Sequence, residues 1–174
     1  MNSLIRAARR AGRVTRYHTS TLVKGEDVAQ HTFNMMNLLM VMLNGQVSPA
    51  LLKAALLHDQ GEYVTGDIPS PVKRAMKLNE LDIMETAAIN YIHYAGSPSL
   101  TEWEHLLLKV ADNLDGLLKC TEELRLGNYE LDMVGKTYVS YLNELLPSLG
   151  GGGVATMVIN AIHDFTYLGD TPRD

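Results

Sequence analysis

The sequence predicts an all-α protein, a bundle of about seven helices, on three observations. Apolar residues recur at helical spacing through most of the 174 residues. Two helix starts are explicit: Ser48 followed by Pro49, and Thr101 followed three residues later by Glu104. No stretch alternates apolar and polar residues with the period of a strand.

The elements follow in chain order. Residues 2–11 form a short amphipathic helix that ends near Gly12. Residues 12–26 read as a loop. Glu26 and Asp27 then favour the N-terminus of a helix over about 28–44, because carboxylates complement the positive end of the helix dipole. Met35, Met36, Met40 and Met42 on it read as core filling. Ser48 caps a helix that carries Leu51, Leu52, Ala54, Ala55, Leu56 and Leu57 into His58–Asp59. Gly61, Gly66, Pro69 and Pro71 mark residues 61–73 as a loop. Asn79 opens a helix to about Tyr94. Thr101 opens a long one to Leu126, closed by Gly127. Two more helices run over about 129–146 and 154–167, joined by Gly150–Gly153.

Composition is that of an ordinary globular protein: 46% hydrophobic, 20% charged, mean hydropathy −0.05. We expect a single domain over residues 1–174. The longest aliphatic run, Leu38–Leu43, is six residues and cannot span a bilayer, so no membrane partner is expected. The N-terminal residues carry Arg6, Arg9 and Arg10 without an apolar core, unlike a secretory signal. The single Cys120 leaves no internal disulfide, which fits a reducing cytoplasm. The net charge is −5, yet residues 1–25 hold six basic side chains and no acid. An acidic body disfavours a nucleic-acid polymer, whereas a local basic segment suits a small polyanion or is simply a solvated face.

Several chemistries are excluded. No Gly-rich loop leads into Lys-Ser/Thr, no paired cysteines offer a zinc site, and no His-Glu-x-x-His or Gly-x-Ser-x-Gly is present. His-Asp occurs twice. His58–Asp59 ends an apolar helix and enters a loop dense in Glu62, Thr65, Asp67 and Lys73. His163–Asp164 has no such setting and reads as surface. Two other helices each offer one further ligand type, His31 and Asp112. Two imidazoles and two carboxylates suit Mn, Fe, Co, Ni or Zn better than Ca. The alternatives are a satisfied core histidine for His31 and a helix-packing ion pair for Asp112.

The order His31, His58–Asp59, Asp112 on successive helices resembles the HD-domain metal phosphohydrolases. The stretch His58-Asp-Gln-Gly-Glu-Tyr-Val-Thr-Gly-Asp-Ile-Pro-Ser-Pro-Val-Lys73 is more specific. It closely resembles the YfbR-like 5′-deoxynucleotidases, which carry His-Asp-x-x-Glu-x-x-Thr-Gly-Asp-x-Pro-x-Pro-x-Lys. Arg16, fifteen residues before His31, stands in the place of that family's phosphate-binding arginine. Ala111-Asp112 followed by Leu118-Lys-Cys-Thr-Glu-Glu123 extends the match over roughly residues 10–128. Tyr17 departs from the family's usual Trp. The compact chain also resembles the dATP triphosphohydrolases (DatZ-like) of phages that replace adenine with 2-aminoadenine.

The resemblance implies an HD-domain helical bundle and an enzyme, a deoxynucleotide phosphohydrolase. The favoured substrate is dATP; a deoxynucleoside 5′-monophosphatase is the near alternative and a non-catalytic nucleotide sensor the distant one. It implies His31, His58, Asp59 and Asp112 as ligands of a divalent Zn, Co or Mn ion. Glu62 would act as the general base, with Asp67 a second acid that steers a ligand or assists the leaving oxygen. Arg16 and Lys73 would hold phosphate oxygens, and Tyr17 would pack on the sugar. The family's habit and the apolar faces of the last two helices lead us to expect a homo-oligomer. A cytoplasmic place is expected, in the host if the protein is phage-encoded.

Overall fold

A computed structural model describes residues 2–69, 72, 79–93 and 98–169. Among them are seven helices of nine residues or more, one helix of four residues, and a single pair of two-residue strands. No described helix is long and apolar enough to cross a membrane. The described residues fall into two compact units, one within Met1–Thr19, Gly25–Met36 and Ser48–Ser99, the other within Ser20–Lys24, Asn37–Val47 and Leu100–Asp174.

In the first unit, helix α1 (Asn2–Ala11) buries Ala7 and Ala11. It packs on α4 (Glu62–Thr65) and α5 (Asn79–His93). After Gly12, strand β1 (Thr15–Arg16) pairs antiparallel with β2 (Glu26–Asp27), Arg16 opposite Glu26. The sequence reads this stretch as a loop, because two-residue strands are too short to show a period of two. The Val28 N–H donates to the Val14 carbonyl (2.9 Å) and the Ala29 N–H to the Gly12 carbonyl (3.0 Å). A side chain at Gly12 would begin 2.9 Å from Ala29 Cβ, so this close approach needs glycine. The strand pair leads directly into α2 (Val28–Met42), whose first half belongs to this unit. Helix α3 (Pro49–Leu57) starts as its sequence indicates: Ser48 Oγ accepts the Leu51 N–H at 3.0 Å. It buries Leu51, Ala54, Ala55 and Leu57.

The second unit is built on α6 (Glu102–Arg125), which packs with α7 (Asp132–Leu149) and α8 (Gly153–Gly169). Thr101 and Glu104 form the reciprocal capping box, and Gly127 at φ +78° lets the chain leave α6. Leu107, Val110, Leu117, Leu142 and Val158 are fully buried. Each such side chain contributes roughly 1.5–3 kcal/mol by leaving water. Gly116 lies against the Tyr138 ring and Gly135 against the Phe165 ring, so neither position has room for a Cβ. Helix α7 begins later and ends later than the apolar pattern indicates. It runs through Pro147, which lies near its end and gives up only the hydrogen bond to the Asn143 carbonyl. Of the methionines read as core, Met35 and Met42 are buried, while Met40 is 42% exposed.

A buried ion pair closes this unit. Glu123 is fully buried and accepts from Lys119 Nζ (2.7 Å), the Val23 N–H (2.8 Å), the Lys24 N–H (3.1 Å) and Asn128 Nδ2 (2.6 Å). Lys119 Nζ also donates to the Lys24 carbonyl. Burial alone would raise the Glu123 carboxyl. Lys119, the Val23 amide, Asn128 and the Lys24 amide together bring it down to about 2. Its stabilising contribution is therefore complete above the ordinary glutamate range and fades as pH falls through about 2.

Candidate metal centre

The ligand cluster is assembled from two helix ends. His31 lies in the first turn of α2 and is fully buried. His58 and Asp59 leave the C-terminus of α3. His31 Nε2 lies 3.2 Å from His58 Nε2. Asp59 Oδ2 lies 3.5 Å from His31 Nε2 and 3.2 Å from His58 Nε2. Two ligand atoms each about 2.1 Å from one ion and at right angles stand about 3 Å apart. The three edges therefore fit donors arranged around a common divalent ion.

The histidine tautomer supports the same reading. His58 Nδ1 lies 2.8 Å from the Ala55 carbonyl oxygen, which can only accept, so Nδ1 carries the proton. In a neutral ring that leaves the Nε2 lone pair directed at His31 and Asp59, the arrangement typical of a ligating imidazole. At Asp59, burial would raise the carboxyl. When its Nε2 is protonated as well, the charged His58 ring, with Arg16 and His31, outweighs it and holds the group well below the usual carboxylate range. Asp59 thus stays an anion, as a ligand must.

Arg16 joins this cluster through side chains the strand pair brings together. Its Nη1 lies 3.4 Å from Asp59 Oδ2 and its Nε 3.2 Å from Glu26 Oε1. Arg16 and Glu26 are both buried. The sequence points to Arg16 as a site residue but to Glu26 only as a helix-start acid. Its proximity to Arg16 comes from the antiparallel register, for which two residues carry no visible signal.

Residues 61–73, read as a loop, instead contain the four-residue α4. Glu62, its first residue, is buried, and its N–H donates to the Asp59 carbonyl at 3.1 Å. Gly61 runs so close to α5 that a Cβ there would lie 2.8 Å from Glu85 Cα. Thr65 Oγ1 donates to Glu85 Oε1 at 2.8 Å, fixing the other end of the turn. Asp67 follows Gly66, and its Oδ2 accepts the Tyr17 N–H at 2.9 Å. Tyr17 has φ +54°, a left-handed backbone that costs a non-glycine residue roughly 1–2 kcal/mol. The Arg16 guanidinium carbon lies 5.5 Å from the Tyr17 ring centroid, within cation–π range.

Asp112 lies on α6 and is half-buried, next to the buried Val110 and Ala111. Lys73 lies outside the described residues. Asp164 is on the surface of α8, its carboxylate 3.6 Å from Arg125 Nη2 with both side chains 59% exposed.

Comparison with known proteins identifies the family. A family profile described as an HD domain matches residues 8–113. The 5′-deoxynucleotidase of Cronobacter sakazakii is 32% identical over 148 residues, which cover 67% of this chain and 70% of that protein. The 5′-deoxynucleotidase of Erwinia tasmaniensis is 29% identical over 140 residues, 67% and 71% of the two chains. A third relative, the 5′-deoxynucleotidase plu3092 of Photorhabdus laumondii, is 30% identical over 95 residues; the match spans about half its length (48%) and 45% of this chain. Among solved structures, a conserved hypothetical protein from Pyrococcus furiosus has the same fold. Its TM-score is 0.64 at 23% identity, with 94% of this chain and 99% of the other covered. HD domains bind divalent metal, and the His31–His58–Asp59 cluster could hold one. The chain belongs to the HD-domain family and is an enzyme of its phosphohydrolase kind.

Proposed function

We propose that the protein hydrolyses deoxynucleoside 5′-phosphates in a metal-dependent reaction, with the 5′-monophosphates as its first substrate class. The observation that carries this reading is the meeting of three ligand atoms, His31 Nε2, His58 Nε2 and Asp59 Oδ2, with the Arg16 guanidinium. A cation site bordered by a buried arginine suits a phosphate ester. The names of the curated relatives supply the nucleotide class.

Asp112 is proposed as the fourth ligand. A carboxylate beside the buried Val110 and Ala111 is suited to binding a cation. Zinc, cobalt and manganese all match two imidazoles with two carboxylates. When bound, such an ion supplies Lewis acidity at the phosphoryl group and acidifies water there. Arg16 binds a phosphate oxygen, with Lys73 as a second cation. A Glu62 carboxylate oxygen takes the proton of the attacking water. The Tyr17 ring packs on the sugar. Residues 1–174 act as one domain on free deoxynucleotides rather than on a polymer, in the cytoplasm and as a homo-oligomer.

A second reading, removal of triphosphate from dATP, is favoured by one feature. Arg6, Arg9, Arg10 and Arg13 on and just after α1 are all exposed and could neutralise a longer phosphate chain.

The test is hydrolysis of the four deoxynucleoside monophosphates, the four triphosphates and ATP with added Mn, Co or Zn, the products being separated by charge. The expected result is deoxynucleoside and phosphate from the monophosphates, abolished by chelation. Confinement to dATP with release of triphosphate would move the enzyme to the second reading. Turnover that survives complete metal removal would overturn the metal-dependent mechanism.

A further inference from the structure

Helix α4 is too short to stand by itself. Four residues lie far below the length at which a helix persists in water, so neighbours must place Glu62 at its start. Apolar packing supplies little of this. Glu62 is the buried residue of the four, while Val64 is 50% exposed and Tyr63 and Thr65 are half-buried.

Two positions one helical turn apart, 61 and 65, both meet a single residue of α5, Glu85. A Cβ on Gly61 would lie 2.5 Å from Glu85 Cβ and 2.9 Å from the Glu85 carbonyl oxygen. Thr65 Oγ1 donates to Glu85 Oε1 at 2.8 Å. The first contact sets how closely α4 approaches α5. The second fixes the rotation of α4 about its own axis, and with it the direction in which Glu62 leaves the backbone.

Glu85 stands where the pattern of α5 calls for an apolar residue. Leu81, Ala88 and Ile92 are buried, and Glu85 completes their series at spacings of four, three and four. A half-buried carboxylate on that stripe gives up hydration that leucine would not need. A local rule broken in this way is the mark of a functional position.

We propose that Glu85 is a positioning residue for Glu62. Through the Thr65 hydroxyl and the close contact at Gly61 it braces α4, and so aims the carboxylate that takes the proton of the attacking water. Glu85 itself needs only an accepting oxygen and transfers no proton. The inference rests on the phosphohydrolase reading and on the role given there to Glu62.

The test measures kcat, KM, metal content and thermal unfolding for Thr65→Val, Glu85→Leu and Glu85→Gln, with a deoxynucleoside monophosphate as substrate and added Mn. Valine keeps the shape of threonine without the hydroxyl, leucine completes the apolar stripe, and glutamine keeps an accepting oxygen. Thr65→Val and Glu85→Leu are each expected to lower kcat about tenfold, the scale of one hydrogen bond, with KM within about threefold and metal content unchanged. Glu85→Gln should keep kcat within about threefold of the unmodified protein. The brace acts through Glu62, so Thr65→Val should cost nothing further in a Glu62→Ala background. Glu85→Leu should also unfold at the same temperature as the unmodified protein or higher, while turning over more slowly. A kcat loss from Thr65→Val that is the same with and without Glu62 would overturn the proposal. So would near-normal kcat in Thr65→Val and Glu85→Leu, or losses of kcat that simply follow losses of unfolding temperature. An unmodified protein that hydrolyses no deoxynucleotide would refute the phosphohydrolase reading and this role with it, whereas an active protein with indifferent variants would refute the brace alone.

Discussion

Asp112→Ala is expected to lose the bound divalent metal and all measurable turnover together, whereas Asp164→Ala should change neither. The two aspartates differ in setting. Asp112 is half-buried on α6 among apolar neighbours, where a carboxylate is costly unless a cation or strong donors meet it. Asp164 belongs to the second His-Asp pair, yet it is 59% exposed and only 3.6 Å from an equally exposed Arg125. Such an exposed pair contributes little to stability. Metal content by elemental analysis and turnover on a deoxynucleoside monophosphate would be measured on the same samples. Metal retained in the Asp112 variant, or lost from the Asp164 variant, would show that the fourth ligand has been placed on the wrong helix.

Glu62→Ala should leave metal and substrate binding intact while lowering kcat by about 10²-fold or more, the usual contribution of a positioned general base. Glu62 is not among the atoms of the ligand cluster, so metal content should not follow its loss. It is held close by construction: its amide bonds the Asp59 carbonyl, and the turn beneath it is pressed against Glu85 through Gly61. Equilibrium binding of a deoxynucleotide alongside steady-state kinetics separates the two effects. A variant with near-normal kcat would remove Glu62 from proton transfer, and one that lost its metal would make it a ligand.

Much of this arrangement is legible in the residues alone, where the signal is local. The Ser48 cap, the Thr101–Glu104 box and the exit at Gly127 each need only a few neighbouring residues, and each is present as read. Asp59 lies within 3.5 Å of His31, His58 and Arg16, three other residues to which the resemblance points. What escapes the sequence is pairing at a distance. Glu26 meets Arg16 only through a strand register two residues long. Lys119 and Glu123, one helical turn apart, enter the sequence reading only as part of the matched stretch 118–123. Only the fold shows that they are buried and occupied by another segment's backbone. The exposure of Met40 and the passage of α7 through Pro147 likewise depend on which neighbours pack there, and composition is silent on that.

The Glu123 carboxylate has one more consequence, for how the chain resists attack. Residues 20–24 form an irregular segment with exposed Val23 and Lys24 side chains, the profile of a loop that proteases cut and solvent deuterates quickly. Yet the Val23 and Lys24 amides and the Lys24 carbonyl are all engaged by the buried pair on α6. A protease needs the backbone around its target bond drawn out and free. Trypsin should therefore pass over Lys24–Gly25 in the native protein, and the two amides should exchange as slowly as the helix that holds them. Glu123→Gln weakens the acceptor without emptying the space, and it should turn the same bond into an early cleavage site.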